Sequence, residues 1–130
     1  MKYRVEFFQP KEFRCKCCGL GMPSAMLVYH LDVLRRAWGL PIRINSGFRC
    51  VRHNEEVGGA KSSRHLLGCA ADIVPHDAKL IGPFQTLCGD LFGRREEWEL
   101  KLYPTFVHVA VPREEQSKLW NGGIVDVRAA

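Results

Sequence analysis

Residues 62–74 read SSRHLLGCAADIV and place His65 seven positions before Asp72, with small residues packed between them. A second histidine, His108, lies at the centre of FVHVAV, residues 106–111. In an extended strand, alternation puts Val107, Val109 and Val111 on one face and Phe106, His108 and Ala110 on the other. Taken alone, a strand histidine is ordinarily a packed or solvated residue, and an aspartate after a short turn is ordinarily a cap. Taken together, two neutral imidazoles and one carboxylate form the donor set of a catalytic zinc, which keeps three protein ligands and one open position. Counting ligand charges leaves the metal with net charge of about +1, electrophilic enough to acidify water. The small residues Gly68, Ala70 and Ala71 allow a loop to pack closely as it enters a buried strand.

The elements that must position these residues are legible in outline. MPSAMLVYHLDVLRRAWG has Met26, Leu27, Leu31, Leu34 and Trp38 at helical spacing, with Pro23 expected in its first turn and Gly39 and Pro41 ending it. Ile42–Asn45 reads as a short strand entering a turn at Ser46-Gly47, and VRHNEEVGG as a short helix closed by Gly58-Gly59. ADIV is a β-type run ending at Pro75; PFQTLCGDLFG is a second helix with Phe84, Leu87, Cys88, Leu91 and Phe92 on one face. WELKLY and FVHVAV flank Pro104-Thr105 as a β-hairpin, and IVDV is a final edge strand. The pattern is α+β, a small antiparallel sheet with helices packed on one side. The 130 residues form a single domain, 1–130, with a core over about 13–111 and a peripheral C-terminal segment over 112–130.

Composition narrows the partners. The net charge of +5 suits a polyanion such as nucleic acid, an anionic membrane surface or a phosphate-bearing cell wall. The basic residues are scattered and little interleaved with aromatics, which argues against nucleic acid. No apolar run approaches the roughly 20 residues of a membrane span, so no membrane insertion is expected. MKYRVEFFQPKEF lacks the apolar stretch of a signal peptide. The expectation is a chain that is cytoplasmic as synthesised, with six reduced or metal-bound cysteines and a monomeric state. Cys15, Cys17, Cys18 and Cys50 could bind a structural zinc, but C-x-C-C is not the usual C-x-x-C spacing, and a reduced cluster that simply packs is the plainer reading. Cys69 and Cys88 sit in apolar patterns and read as buried small hydrophobes.

The central run also matches S-x-H-x-x-G-x-A-x-D at Ser63, His65, Gly68, Ala70 and Asp72. NSGFR, residues 45–49, and HNEEVGGAKSSRH precede it, and YPTFVHV follows. Over about 13–111 the chain thereby resembles the M15 peptidases, the zinc D-Ala-D-Ala carboxypeptidase family, which share a fold with the Hedgehog signalling domain. The resemblance implies that fold, one catalytic-type Zn2+ held by His65, Asp72 and His108, and peptidoglycan peptides as substrate. It implies that Arg49 polarises the scissile carbonyl and stabilises its oxyanion, and that Ser63 helps hold substrate or loop. Tyr103 is a candidate hydrogen-bond donor in the site.

One departure stands out. Many family members carry an acid three positions before the last histidine ligand, where this chain has Thr105; others carry H-x-D, where it has Ala110. A threonine cannot serve as a general base near neutral pH. Glu99 is the nearest candidate base, with Glu97 expected on the same side of the strand. Two functions follow. One is a zinc metallopeptidase cleaving stem or cross-bridge peptides, as a D,D-carboxypeptidase or an endopeptidase of the endolysin type, phage-encoded and reaching the wall through a holin or with the virion. The other is a catalytically silent zinc-binding module of the same fold that binds wall peptide or plays a structural role. The sequence leaves open which bond is cut.

Overall fold

The computed structural model describes residues 1–127. Its elements are β1 (Lys2–Arg4), α1 (Ala25–Trp38), β2 (Ile42–Ser46), α2 (Val51–Glu56), β3 (Ala70–Pro75), α3 (Ile81–Phe92), β4 (Glu99–Leu102), β5 (Val107–Ala110) and β6 (Ile124–Asp126). Four strands form an antiparallel sheet in the order β2-β3-β5-β4, and β1 pairs with β6 in a separate two-stranded ribbon. The α+β expectation, with its small antiparallel sheet and helices on one side, holds.

Helix α1 forms where apolar residues recur at helical spacing and caps close both ends. Ser24 Oγ accepts the Leu27 amide, and Gly39 takes the left-handed conformation at φ 80° that ends the helix. Pro23 therefore precedes the cap instead of lying in the first turn, because the Ser24 side chain caps the helix by accepting the Leu27 amide. Leu27, Leu31 and Leu34 of α1 and Phe84, Cys88 and Phe92 of α3 are buried against Ile44, Ile73, Val107 and Val109 of the sheet in one core. Each of the large apolar side chains contributes roughly 1.5–3 kcal/mol by leaving water.

Strand pairing sorts the sheet's residues by face. Ile73 stands opposite Val107 and Ala71 opposite Val109, which directs these pairs to the helices. Asp72 stands opposite His108, and His108 opposite Lys101, on the face away from the core. Between Ile44 and Ser46 the β2–β3 register shifts, so that Ser46, not Asn45, faces Asp72. The irregularity at the end of β2 thus re-aims one side chain next to the site.

The ends of the core differ from expectation. The segment 112–130 reads as peripheral in sequence, and its last three residues lie outside the described ones, yet Trp120, Val125 and Val127 are buried, as are Val5 and Phe8 ahead of residue 13. The polar run PREEQSK conceals this, since the apolar residues follow it. Trp120 packs edge-on against Phe13 with ring centroids 6.4 Å apart, and its indole donates to the Gly123 carbonyl. β6, the expected edge strand, secures β1. Asp32, fully buried in α1, ties the other end: it accepts from the Tyr3 hydroxyl at 2.6 Å and from the Phe7 amide at 2.8 Å.

Candidate metal centre

His65, Asp72 and His108 come together from three elements. His65 lies in a 3-10 turn, Arg64–Leu67, between β2 and β3; Asp72 is central in β3, and His108 is in β5. Ser63 caps the turn by accepting the His65 amide at 3.2 Å, and Gly68 closes it at φ 73°. A Cβ at Gly68 would lie 2.3 Å from the Met22 carbonyl oxygen, so only glycine fits there.

The hydrogen bonds around the two rings fix their tautomers. His65 Nδ1 lies 2.7 Å from the Gly47 carbonyl, which can only accept, so Nδ1 carries the proton and Nε2 presents a lone pair. His108 Nε2 lies 2.8 Å from Glu99 Oε1, so its proton goes to the carboxylate and Nδ1 presents a lone pair. Both lone pairs face one oxygen, Asp72 Oδ1, at 3.2 and 3.0 Å. In neutral rings these are three acceptors converging with no proton between them, an arrangement that calls for a cation. The ligand atoms lie within 4.8 Å of one another, and two imidazoles with a carboxylate are donors that zinc takes. The residues therefore fit the metal. Burial works against charge on Asp72, but where a ring proton of His108 or His65 turns toward it in place of a cation, the carboxyl is held well below the usual carboxylate range.

Arg49 enters from the loop between β2 and α2. Its guanidinium donates to Ser46 Oγ at 3.0 Å, Asn54 Oδ1 at 3.3 Å and Asp72 Oδ2 at 3.1 Å. Asn54 is itself buried and donates to the Ala60 carbonyl. A Cβ on Gly59 would meet Asn54 Oδ1 at 2.1 Å, which accounts for one glycine of the GG pair. Ser46 and Asn54 were not singled out from sequence, although both lie in the stretches around NSGFR and HNEEVGG that were.

The site opens into a cleft of about 430 Å³ lined by Arg49, Ser63, Glu99, Lys101, Tyr103 and Arg113 together with the three ligands. Tyr103 stacks on Phe106 with centroids 4.4 Å apart, which fixes the ring at the rim. Thr105 lines a different cleft, with Arg43, Asn45 and His76, and Ala110 is fully buried. Glu99 stands directly across the hairpin from Ala110, so its carboxylate occupies the side of the sheet that an acid at 110 would share. Glu99 Oε2 is 3.6 Å from the Arg64 guanidinium, a partner that sequence reading missed because Arg64 is 35 positions away. Burial works against its charge, but the His108 hydrogen bond and Arg64 hold its carboxyl below the usual range. Strand alternation does not extend to Glu97. It lies before β4 with a left-handed backbone, φ 63°, and its side chain is exposed.

A 51-residue stretch is 49% identical to the zinc D-Ala-D-Ala carboxypeptidase of Streptomyces albus G, covering 38% of this chain and 20% of that protein. The chain thus spans about a fifth of the length of that relative. The family model described as Peptidase M15 matches residues 6–110, which takes in Arg49, the three candidate ligands and both strands of the hairpin. This chain belongs to the Peptidase M15 family.

Proposed function

We propose that the protein is a zinc-dependent peptidase acting on peptidoglycan peptides. The observation that carries this reading is the convergence of His65 Nε2, Asp72 Oδ1 and His108 Nδ1, each oriented by a partner behind it. Zinc bound there would supply a Lewis acid and lower the pKa of water to near neutrality. Arg49, fixed by three side chains, would place a cation where negative charge develops on the scissile carbonyl oxygen. Lys101 and Arg113 line the same cleft and would attract a substrate carboxylate. Among the bonds open to such a site, the terminal D-Ala-D-Ala bond is supported by the relative's name. Internal stem or cross-bridge cleavage of the endolysin type is the finer alternative, and the net charge of +5 suits an anionic wall in either case.

We assign Glu99 to positioning, in place of the free base first considered. One oxygen holds His108 Nε2–H, the other faces Arg64, and a carboxyl held below its usual range is a weaker base. This feeds the second reading, a silent module that grips wall peptide. The carboxylates lining the cleft are Asp72 and Glu99, and both are engaged.

The deciding experiment incubates zinc-loaded protein with purified peptidoglycan and its stem peptides, reads the products by mass spectrometry, and uses His65→Ala as control. Fragments absent from the control establish the peptidase and name the bond. Stoichiometric zinc with nothing cut across several wall chemotypes overturns the peptidase in favour of the silent module. Thr105→Asp or Ala110→Asp would then test whether an added acid restores cleavage.

A further inference from the structure

A second group of metal-ligating side chains lies outside the cleft. FRCKCCG folds into a tight turn in which the Cys15 amide donates to the Leu20 carbonyl at 2.8 Å and the Gly19 amide to the Cys15 carbonyl at 2.9 Å. Gly19 takes φ 72°, the left-handed conformation the turn needs. The pair that matters is therefore Cys15 and Cys18, a C-x-x-C followed by glycine, with Cys17 as the inserted residue. The spacing that looked irregular in sequence is the usual chelating one read across the correct pair.

Cys50 completes the group from the other side of the chain. The sulfurs of Cys15, Cys18 and Cys50 lie within 4.8 Å of one another, and none is in a disulfide. Amides point at these sulfurs: Cys50 N–H donates to Cys15 Sγ at 3.4 Å and His53 N–H to Cys50 Sγ at 3.3 Å. Sulfurs that ligate a cation gain from such donors, while three packed thiols have no need of them. Cys17, His53 and Glu56 converge in an adjoining group, and Cys17 lies within hydrogen-bond reach of Cys50. Cys15 is buried and Cys17 and Cys18 are exposed, so the group has a closed floor and an open mouth.

We propose that Cys15, Cys18 and Cys50 bind a second, structural zinc ion, with the fourth position taken by Cys17 or His53. The ion would fasten the N-terminal turn to the residue after Arg49. Two contacts already draw these segments together: the Phe48 amide donates to the Phe13 carbonyl at 2.8 Å, and a Cβ on Gly47 would lie 2.7 Å from that same oxygen. The second ion would thus set the backbone from which Arg49 reaches Asp72, without touching substrate.

The test measures zinc per chain in the full-length protein purified under reducing conditions, with Co2+ exchange as an independent readout. The expected result is about two zinc ions in the native chain and about one in each of His65→Ala and Cys18→Ser. A sulfur-to-cobalt charge-transfer band is expected in the native chain and in His65→Ala, and is expected to vanish in Cys18→Ser. His65→Ala decides the matter even should the cysteine variant fail to fold. Loss of all metal and of that band in His65→Ala would overturn the proposal. So would alkylation of Cys15, Cys18 and Cys50 at equal rates with and without zinc, or recovery of a disulfide among them. None of these outcomes counts against the peptidase reading, which rests on the other site.

Discussion

At the scale of single residues, Arg49 and Glu99 do distinct work. Arg49 is held by Ser46, Asn54 and Asp72, a planar fork that lysine cannot reproduce. Arg49→Lys is expected to lower kcat by about 10²–10³ while leaving metal content unchanged, as measured by steady-state kinetics beside zinc analysis. Glu99 separates positioning from base catalysis by its conservative variant. Glu99→Gln keeps an acceptor for His108, so metal affinity should stay close to native, whereas Glu99→Ala should weaken it by about 10–100-fold in competition with a chelator. A loss of about 10²–10⁴ in kcat with Gln and unchanged metal affinity would return Glu99 to the role of base. His65, Asp72 and His108 stood out in sequence by residue type and by the resemblance to M15 peptidases, and the fold brings the three side chains together. The Glu99–Arg64 and Glu99–His108 contacts were not legible there, because Glu99 reaches His108 diagonally across the hairpin and Arg64 comes from the 3-10 turn before β3.

At the scale of elements, caps and turns set the ligands' directions. Gly68 both ends the turn that carries His65 and passes beneath Met22. Gly68→Ala is expected to destabilise the fold by about 2 kcal/mol or more, read from denaturant midpoints, because the left-handed backbone and the Met22 carbonyl both oppose a Cβ. Helix α1 carries a pH-dependent element. His30 packs edge-on against Trp98, centroids 4.8 Å apart, and burial, with Arg95 adding to it, pushes its imidazole down to about 4. The unfolded chain takes up this proton first, near pH 6.5, so the stability from His30 is complete above that pH. It is lost as pH falls toward about 4, on the order of 1–2 kcal/mol after allowing for partial exposure. His30→Phe is expected to remove this component, seen as a smaller difference between unfolding free energies at about pH 7 and about pH 4.5. Helices α1 and α3 and the hairpin were legible because their apolar periods are long enough to tell 3.6 from 2. The displacement of Pro23 was not, since it turns on a hydroxyl choosing an amide.

At the scale of the whole molecule, the core extends further along the chain than its apolar runs suggest. Trp120 sits among Phe8, Phe13 and Val125 in a stretch that reads as polar. Trp120→Ala is expected to cost about 3–5 kcal/mol, visible as a large fall in melting temperature, whereas a peripheral residue would cost little. Strand order β2-β3-β5-β4 was also beyond sequence reading, because alternation gives each strand's faces but not its neighbours. The pairing of β1 with β6 joins residues 120 or more positions apart and leaves no local trace.

The register that sets Asp72 opposite His108 carries one more consequence. The flanking pair Ala70 with Ala110 is too small to choose a register by itself, so the choice rests on the buried face and on the site. A slip of one residue would bring a valine into the place of His108 and turn the histidine into the core. Occupancy by the cation would then act as proofreading, because only the correctly zipped hairpin and β3 present three donors at once. The slowest amide hydrogens to exchange in zinc-loaded protein are accordingly expected in β3 and β5, and chelation should release those two strands together.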